Sequence, residues 1–296
     1  MTKNKNMSHP VGILFALGAM FGWALGDFSI QRATRAVGTV RALFYISVLG
    51  GVGLLPFIWN EFVPSFHDFS GLPILVLAGL LLSFTALANF EGLKKGKLSV
   101  VLPMNGIELI VTVGLAVGLG HERYPNAVYG LIFLVFLGLA LTTMLSVKNL
   151  KKIAWEKGAF WALMGAFGLG ASNYTIGLSS RAYSPLFTIW FTSIIIAIFA
   201  AFIMLKRGTF ARVRQDFKNH FPIIATQSFL DNLAWISYAF ATVSIPIGIA
   251  TTISEGYLAL GTLLGVVINK EKLKKHQYFG ITVTISGVLA LGWLTG

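Results

Sequence analysis

The chain has 296 residues, 55% hydrophobic and 11% charged, with a mean hydropathy of +0.76; a soluble domain carries about 25% charged residues, so composition excludes a water-soluble globule and indicates a polytopic membrane protein. The formal net charge of +12 reads as basic loops on one side of a membrane, with no nucleic-acid partner expected. With no cysteine, and with five histidines (His9, His67, His121, His220, His276) scattered and never in an HExxH pair, neither a disulfide framework nor a thiolate or zincin-type metal site is expected.

A bilayer core takes about 20 apolar residues per helix. The first ten residues are polar and the apolar run behind them has no small-residue cleavage site, so that run reads as a retained helix and not a signal peptide. Pro, Gly and charge breaks then divide the chain into ten spans: 11–31, 40–59, 71–92, 98–119, 125–147, 158–178, 184–205, 220–242, 246–268 and 277–295. The 32 glycines suit helices whose backbones approach closely in lipid.

Basic residues fall on alternate loops. Arg32, Arg35 and Arg41 follow the first span, Lys94, Lys95 and Lys97 the third, and Lys148, Lys151, Lys152 and Lys157 the fifth. Lys206, Arg207, Arg212, Arg214 and Lys218 follow the seventh, and Lys270, Lys272, Lys274 and Lys275 the ninth. These are 19 of the 23 Lys and Arg. The positive-inside rule makes that side cytoplasmic and puts both termini outside, in a multi-pass protein of the cytoplasmic (inner) membrane.

Residues 21–30, "FGWALGDFSI", return as 167–176, "FGLGASNYTI". At the same offset of 146, Arg35-Ala36 lies opposite Arg181-Ala182, and Phe44-Tyr45 opposite Trp190-Phe191. Glu108 lies opposite Glu255 at an offset of 147, and each half closes with a Glu followed 16 residues later by a Gly: Glu122 with Gly138, Glu271 with Gly287. Five helices per copy is odd, so the second copy starts from the other face. The expected fold is all-α, ten transmembrane helices as two inverted five-helix repeats around a central cavity. Residues 1–147 are the first repeat, 148–157 a basic cytoplasmic linker, and 158–296 the second repeat.

The repeat, "GWALGDFSIQRA" in the first span, Arg41 opening the second and Glu122 before the fifth resemble the drug/metabolite transporter (DMT) superfamily, and within it the EamA-type ten-helix exporters. The resemblance implies a helical bundle with a central cavity and outward transport of small metabolites, often amino acids. Embedded Glu at both symmetric positions, Glu108 and Glu255, departs from the family's general pattern.

Four carboxyls stand at or near membrane depth: Asp27, Glu108, Asp231 and Glu255. A carboxylate at a helix centre costs about 2.5–3.5 kcal/mol on insertion scales, so these side chains are expected to face one another or a water-filled cavity. Asn105, Glu108 and Thr112 share one helix face, as do Ser228, Asp231 and Trp235 with Tyr238 next, and Thr251 and Thr252 precede Glu255 by about one turn. The substrate or a coupling proton is assigned to Glu108 and Glu255, with Asp231, Asn105, Asn232, Trp235, Trp190 and Tyr257 around them. The competing reading of the two Glu is a protonated, hydrogen-bonded pair that ties helices together. Asp27, with Asn173 as its repeat mate, reads as a gate or helix bridge, together with Trp23, Tyr174 and Arg41; a salt bridge to Arg32 or Arg35 is the alternative for Asp27. Asn89 and Glu91 read as cytoplasmic interface beside Lys94 and Lys95.

Phosphorylated substrates call for fixed cations, and none stands at mid-depth. The reading is therefore a secondary transporter for a small zwitterionic or cationic, amino-acid-like metabolite, working by alternating access. No cofactor is expected; the partners are the substrate, membrane lipids and a coupling proton, and a monomer suffices to enclose the path. An uncoupled facilitator for small neutral solutes, with structural carboxyls, is the alternative. An intramembrane enzyme is remote, since Cys, HExxH and G-x-S-x-G are all absent.

Overall fold

A computed structural model describes residues 9–65, 70–95, 105–143, 159–269 and 273–296. The described residues form helices and no strand: α1 (His9–Val37), α2 (Thr39–Ser65), α3 (Leu72–Lys95), α4 (Ile107–Gly118), α5 (Asn126–Thr143), α6 (Ala159–Ala182), α7 (Pro185–Lys206), α8 (Val213–Ser244), α9 (Ile247–Ser254), α10 (Tyr257–Asn269) and α11 (Lys275–Thr295). A single 3₁₀ turn, Phe210–Arg212, precedes α8. Among them, α1, α2, α3, α7, the α9–α10 pair and α11 are long and apolar enough to cross a membrane, while α4 and α5 are shorter apolar helices.

Helix ends follow local chemistry. Gly38 joins α1 to α2 at φ +91°, a conformation that side chains with a Cβ rarely adopt. Ser184 caps α7 by accepting the Phe187 N–H at 3.1 Å, and Pro185 takes the first helical position, where its missing N–H has no bond to lose.

The helices pair across the chain. α1 packs most extensively on α8, α3 on α6, α2 on α7 and α5 on α11. Small residues set the closest crossings. A Cβ on Gly22 would lie 2.8 Å from that of Ala234, and one on Gly168 would lie 1.8 Å from Thr85 Cγ2. On the α5–α11 crossing, a Cβ on Gly138 would meet Thr284 Oγ1 at 2.6 Å, and one on Gly287 would meet Val135 Cγ2 at 2.8 Å.

Two ends of the bundle can be told apart. One holds the α1–α2 turn, the C-terminus of α3 and the α7–α8 connection. There Arg41 pairs with Asp216 at 2.8 Å, Lys95 with Glu91 at 2.7 Å, and Tyr45 donates to Val213 O at 2.8 Å. The opposite end holds the start of α1 and the end of α11, with the His9 ring 3.1 Å from Thr295 O.

Several boundaries differ from the sequence expectation: α1 and α2 run on to Val37 and Ser65, past the expected ends at 31 and 59, and three further spans depart as follows. The 246–268 span is not one helix: it breaks at Glu255–Gly256 between α9 and α10. The 220–242 span is longer, because α8 starts at Val213; its backbone kinks at His220 (φ −126°, ψ 21°), two residues before Pro222, whose ring and missing N–H interrupt the ladder. The charges of 212–218 made that first part look like loop, yet Asp216 is held by Arg41. The 98–119 span is described only from Asn105, and helix α4 restarts at Ile107 after a turn at Gly106. The 148–157 segment and Glu271 lie outside the described residues.

Candidate functional site

A cavity of about 70 Å³ lies inside the bundle, at half-depth and toward the end with the basic loops. Helix periodicity builds its walls. Trp23, Asp27 and Ile30 share one face of α1; Ile189, Thr192, Ser193 and Ile196 share one face of α7; Asp231 and Trp235 share one face of α8. Leu82, Ala86 and Asn89 come from α3, Ile46 and Ser47 from α2, Glu108 from α4 and Tyr257 from α10. Among the described residues that line it there is no Lys, Arg or His.

The two embedded glutamates meet. Glu108 is 5% exposed and Glu255 fully buried, and their carboxyl groups are neighbours close enough to interact directly. Asn173 Nδ2 donates to Glu108 Oε1 at 2.7 Å. Neither oxygen of Glu255 has a donor among the described residues. Two ionised carboxylates can only accept, so a proton held between them would supply the missing donor. Glu255 also sits on the helix break: its N–H bonds Thr251 O at 2.8 Å, and Gly256 N bonds Ile253 O at 3.2 Å, a tightened turn. Met20 packs close over Gly256, where a Cβ would lie 2.6 Å from its Sδ.

An aromatic cluster floors the cavity. The Trp23 ring stands edge-on to Trp235 at 5.1 Å and to Tyr257 at 5.9 Å, with Tyr238 tilted at 5.5 Å. The Tyr238 hydroxyl lies 2.7 Å from Thr251 Oγ1. Asn89 donates to Asn105 Oδ1 at 3.2 Å, and Asn105 donates to the Tyr257 hydroxyl at 3.4 Å, a chain joining α3 to α10.

At the end that holds the start of α1 and the end of α11, Glu122 ties several elements together. Its oxygens accept the first N–H groups of α9, from Ile247 at 2.8 Å and Gly248 at 3.1 Å, and the Tyr124 hydroxyl donates to it as well. A carboxylate at a helix N-terminus is stabilised by the exposed N–H groups and the helix dipole. Arg181 pairs with Glu122 at 3.3 Å and also donates to Thr242 O at 2.8 Å and Ile245 O at 3.2 Å. One carboxylate thereby joins the α4–α5 loop, α6, α8 and α9. Burial, and then the bond to Glu122, push the Tyr124 hydroxyl above the usual tyrosine range.

The residues singled out in the sequence distribute as follows. Asp27, Trp23, Glu108, Asp231, Asn232, Trp235 and Tyr257 line the cavity, with Glu255 and Asn105 directly behind. Asn232 donates to Ile46 O at 3.0 Å and Ser228 O at 2.8 Å, a bridge from α8 to α2. Asn173 holds Glu108 and accepts from Tyr238 at 3.3 Å through its carbonyl. Trp190 lies off the cavity, packed on Phe62 at 5.4 Å and Phe187 at 5.7 Å. Tyr174 packs with Ala116 and Ile247 near the tied end, and Arg41 sits at the other end with Asp216. Arg32 stacks over the Phe28 ring at 4.1 Å, and among the described residues Asp27 has no ion pair. Asn89, read as interface, is instead buried and lines the cavity. Ser47, Thr192 and Ser193 were not singled out; the i, i+3, i+4, i+7 spacing of 189–196 was the signal that could have found the last two.

A family model of EamA-like transporters matches the chain twice, over residues 10–144 and 156–293. No curated protein matches it. A solved crystal structure of a protein aligns at TM-score 0.73 and 12% identity, covering 96% of this chain and 97% of the other, which shows a shared fold. The two matches together span nearly the whole chain, and this multi-pass membrane protein belongs to the EamA-like transporter family.

Proposed function

We propose that the chain is a secondary transporter of ten membrane-crossing helices in two inverted five-helix repeats, residues 1–147 and 158–296, joined by a basic linker. With α9 and α10 counted as the ninth crossing, exchanging crossings 1–5 with 6–10 turns the α1–α8 pair into α6–α3. The same exchange returns α2–α7 and α5–α11 to themselves. The glycines support it: Gly22 on Ala234 has its counterpart in Gly168 on Thr85, and Gly138 on Thr284 in Gly287 on Val135. Interruptions next to Glu108 and at Glu255 fit the discontinuous helices that build transporter sites near the bilayer midplane.

The substrate is a small zwitterionic or cationic metabolite, and the observation that carries this is the carboxyl-lined cavity, with no cation among its described lining residues. The positive-inside rule puts the basic loops in the cytoplasm, the termini outside and the protein in the inner membrane. The cavity reaches toward the cytoplasmic side while Glu122 and Arg181 tie the outer side, an arrangement suited to loading from the cytoplasm and release outward. The Glu108–Glu255 pair takes up the coupling proton. In proteoliposomes with an imposed pH gradient, Glu108→Gln and Glu255→Gln, singly and together, should abolish the response of flux to the gradient. Unchanged flux and unchanged pH response in all three variants would refute the assignment.

The Asn173 bond to Glu108 favours a second reading, an uncoupled facilitator for small neutral solutes whose carboxyls are structural. Wild-type flux that ignores the gradient and accepts uncharged solutes distinguishes it.

A further inference from the structure

The cavity is lopsided in what it offers a ligand. Asp27, Glu108 and Asp231 present acceptors, and Glu255 stands behind Glu108. The donors are largely spent on the protein itself. Both N–H bonds of the Asn232 amide go to Ile46 O and Ser228 O, and one from Asn89 goes to Asn105. The Ser47 hydroxyl donates to Leu43 O at 2.9 Å and that of Thr192 to Ile189 O at 3.0 Å. What remains for a ligand's oxygens are neutral groups: the second N–H of Asn89, the indoles of Trp23 and Trp235 and the hydroxyls of Ser193 and Tyr257. Among the described residues no basic side chain lines the space, and the two helix N-termini that reach it, those of α4 and α10, bring the Glu108 carboxyl and the Tyr257 ring.

An amino acid entering this cavity would place its ammonium well and its carboxylate badly. The carboxylate would lose its water and find no cation among the described lining residues to replace it. An amine without a carboxylate meets acceptors at its head and aromatic faces of Trp23, Trp235 and Tyr257 around its body, the arrangement that recognises organic cations. We infer that the cavity selects organic cations that carry no carboxylate, alkyl or aryl amines in place of the corresponding amino acids. The inference rests on the cavity being the substrate site and narrows the proposed substrate class.

The test uses pairs that differ only by the carboxylate: ethanolamine against serine, agmatine against arginine, phenethylamine against phenylalanine, with 2-phenylethanol as the uncharged control. Binding to the purified full-length chain is read by calorimetry. In each pair that binds, the amine should be tighter by tenfold or more, and 2-phenylethanol should bind more weakly than phenethylamine. Asp27→Asn with Asp231→Asn should erase the advantage of phenethylamine over 2-phenylethanol. Equal or tighter binding of the amino acids, equal binding of the alcohol, an amine advantage that survives the double substitution, or binding of nothing in the set overturns the inference. Counterflow in proteoliposomes separates this from the transport reading: amines that bind with the stated preference and are not carried refute transport and leave the selectivity standing. Carriage of amino acids in preference to amines does the reverse.

Discussion

Replacing Glu122 by Ala should loosen the end of the bundle where its carboxylate gathers α6, α8 and α9, and on the proposed mechanism should open it. The carboxylate accepts two N–H groups of the first turn of α9 and one guanidinium N–H. Loss of a capping side chain typically costs about 1 kcal/mol, and a charged acceptor for two buried donors raises this to about 1.5 kcal/mol. Arg181 adds less than its charge suggests. Its side chain is 38% exposed, in the range where such pairs contribute about 0.5 kcal/mol. The sum, about 2 kcal/mol, corresponds to roughly a 30-fold shift of the closed–open equilibrium at that end. The chain has no cysteine, so Ser193→Cys supplies a single thiol in the cavity. Its labelling by a membrane-impermeant maleimide from the side of the termini should speed up by about tenfold or more when Glu122→Ala is added. Glu122→Gln, which keeps one acceptor oxygen, should fall between. A labelling rate that stays at the parent value in a folded Glu122→Ala variant refutes the claim that this cluster is the closure.

Gly168→Ala should lower the melting temperature, because its Cβ would fall 1.8 Å from Thr85 Cγ2 and overpacking of this kind costs about 1–3 kcal/mol. Gly114→Ala is the control, with nothing within 4 Å of the added atom; it should melt at or slightly above the parent temperature. Tyr124→Phe loses a bond to Glu122 and should melt earlier at neutral pH. The native Tyr124 is held above its ordinary value of 10.0 by burial and Glu122, so its stabilising contribution is whole below pH 10 and is lost as pH rises toward the folded-state value. Melting curves above pH 10 should therefore decline less steeply for the Phe variant than for the parent, and parallel curves would contradict the assignment.

Much of this architecture was legible because lipid punishes the alternatives. The apolar runs located the helices to within a few residues wherever no charge intruded, as with 184–205 against Pro185–Lys206. They failed at Val213–Arg214, where a charged amphipathic turn extends α8 beyond the apolar run, and at Glu255–Gly256, where composition stays apolar through a backbone break. Glu108 and Glu255 stood out by the desolvation that each must offset. Asn89 was missed because three charged neighbours, Glu91, Lys94 and Lys95, suggested an interface, while the side chain turns inward to Asn105. Trp190 illustrates the converse: a large aromatic in an apolar helix carries no mark of which face it occupies, and this one packs on Phe62. The role of Glu122 as the cap of a helix that begins 125 residues later has no local signal at all.

The dominant pairing of α1 with α8 has a bearing on how the protein is made. Gly22 waits for Ala234, roughly 200 residues downstream, before its crossing can close. At synthesis rates of about 5–20 residues per second, that wait is on the order of 10–40 seconds. Through that interval Asp27 sits in a nascent bundle with no completed cavity to shelter it. α2 and α5 likewise await α7 and α11. A ribosome stalled after the first family match, at residue 144, therefore presents helices with most of their native contact surface still bare. Quality-control proteases acting within the bilayer should recognise such truncated chains far faster than the finished one.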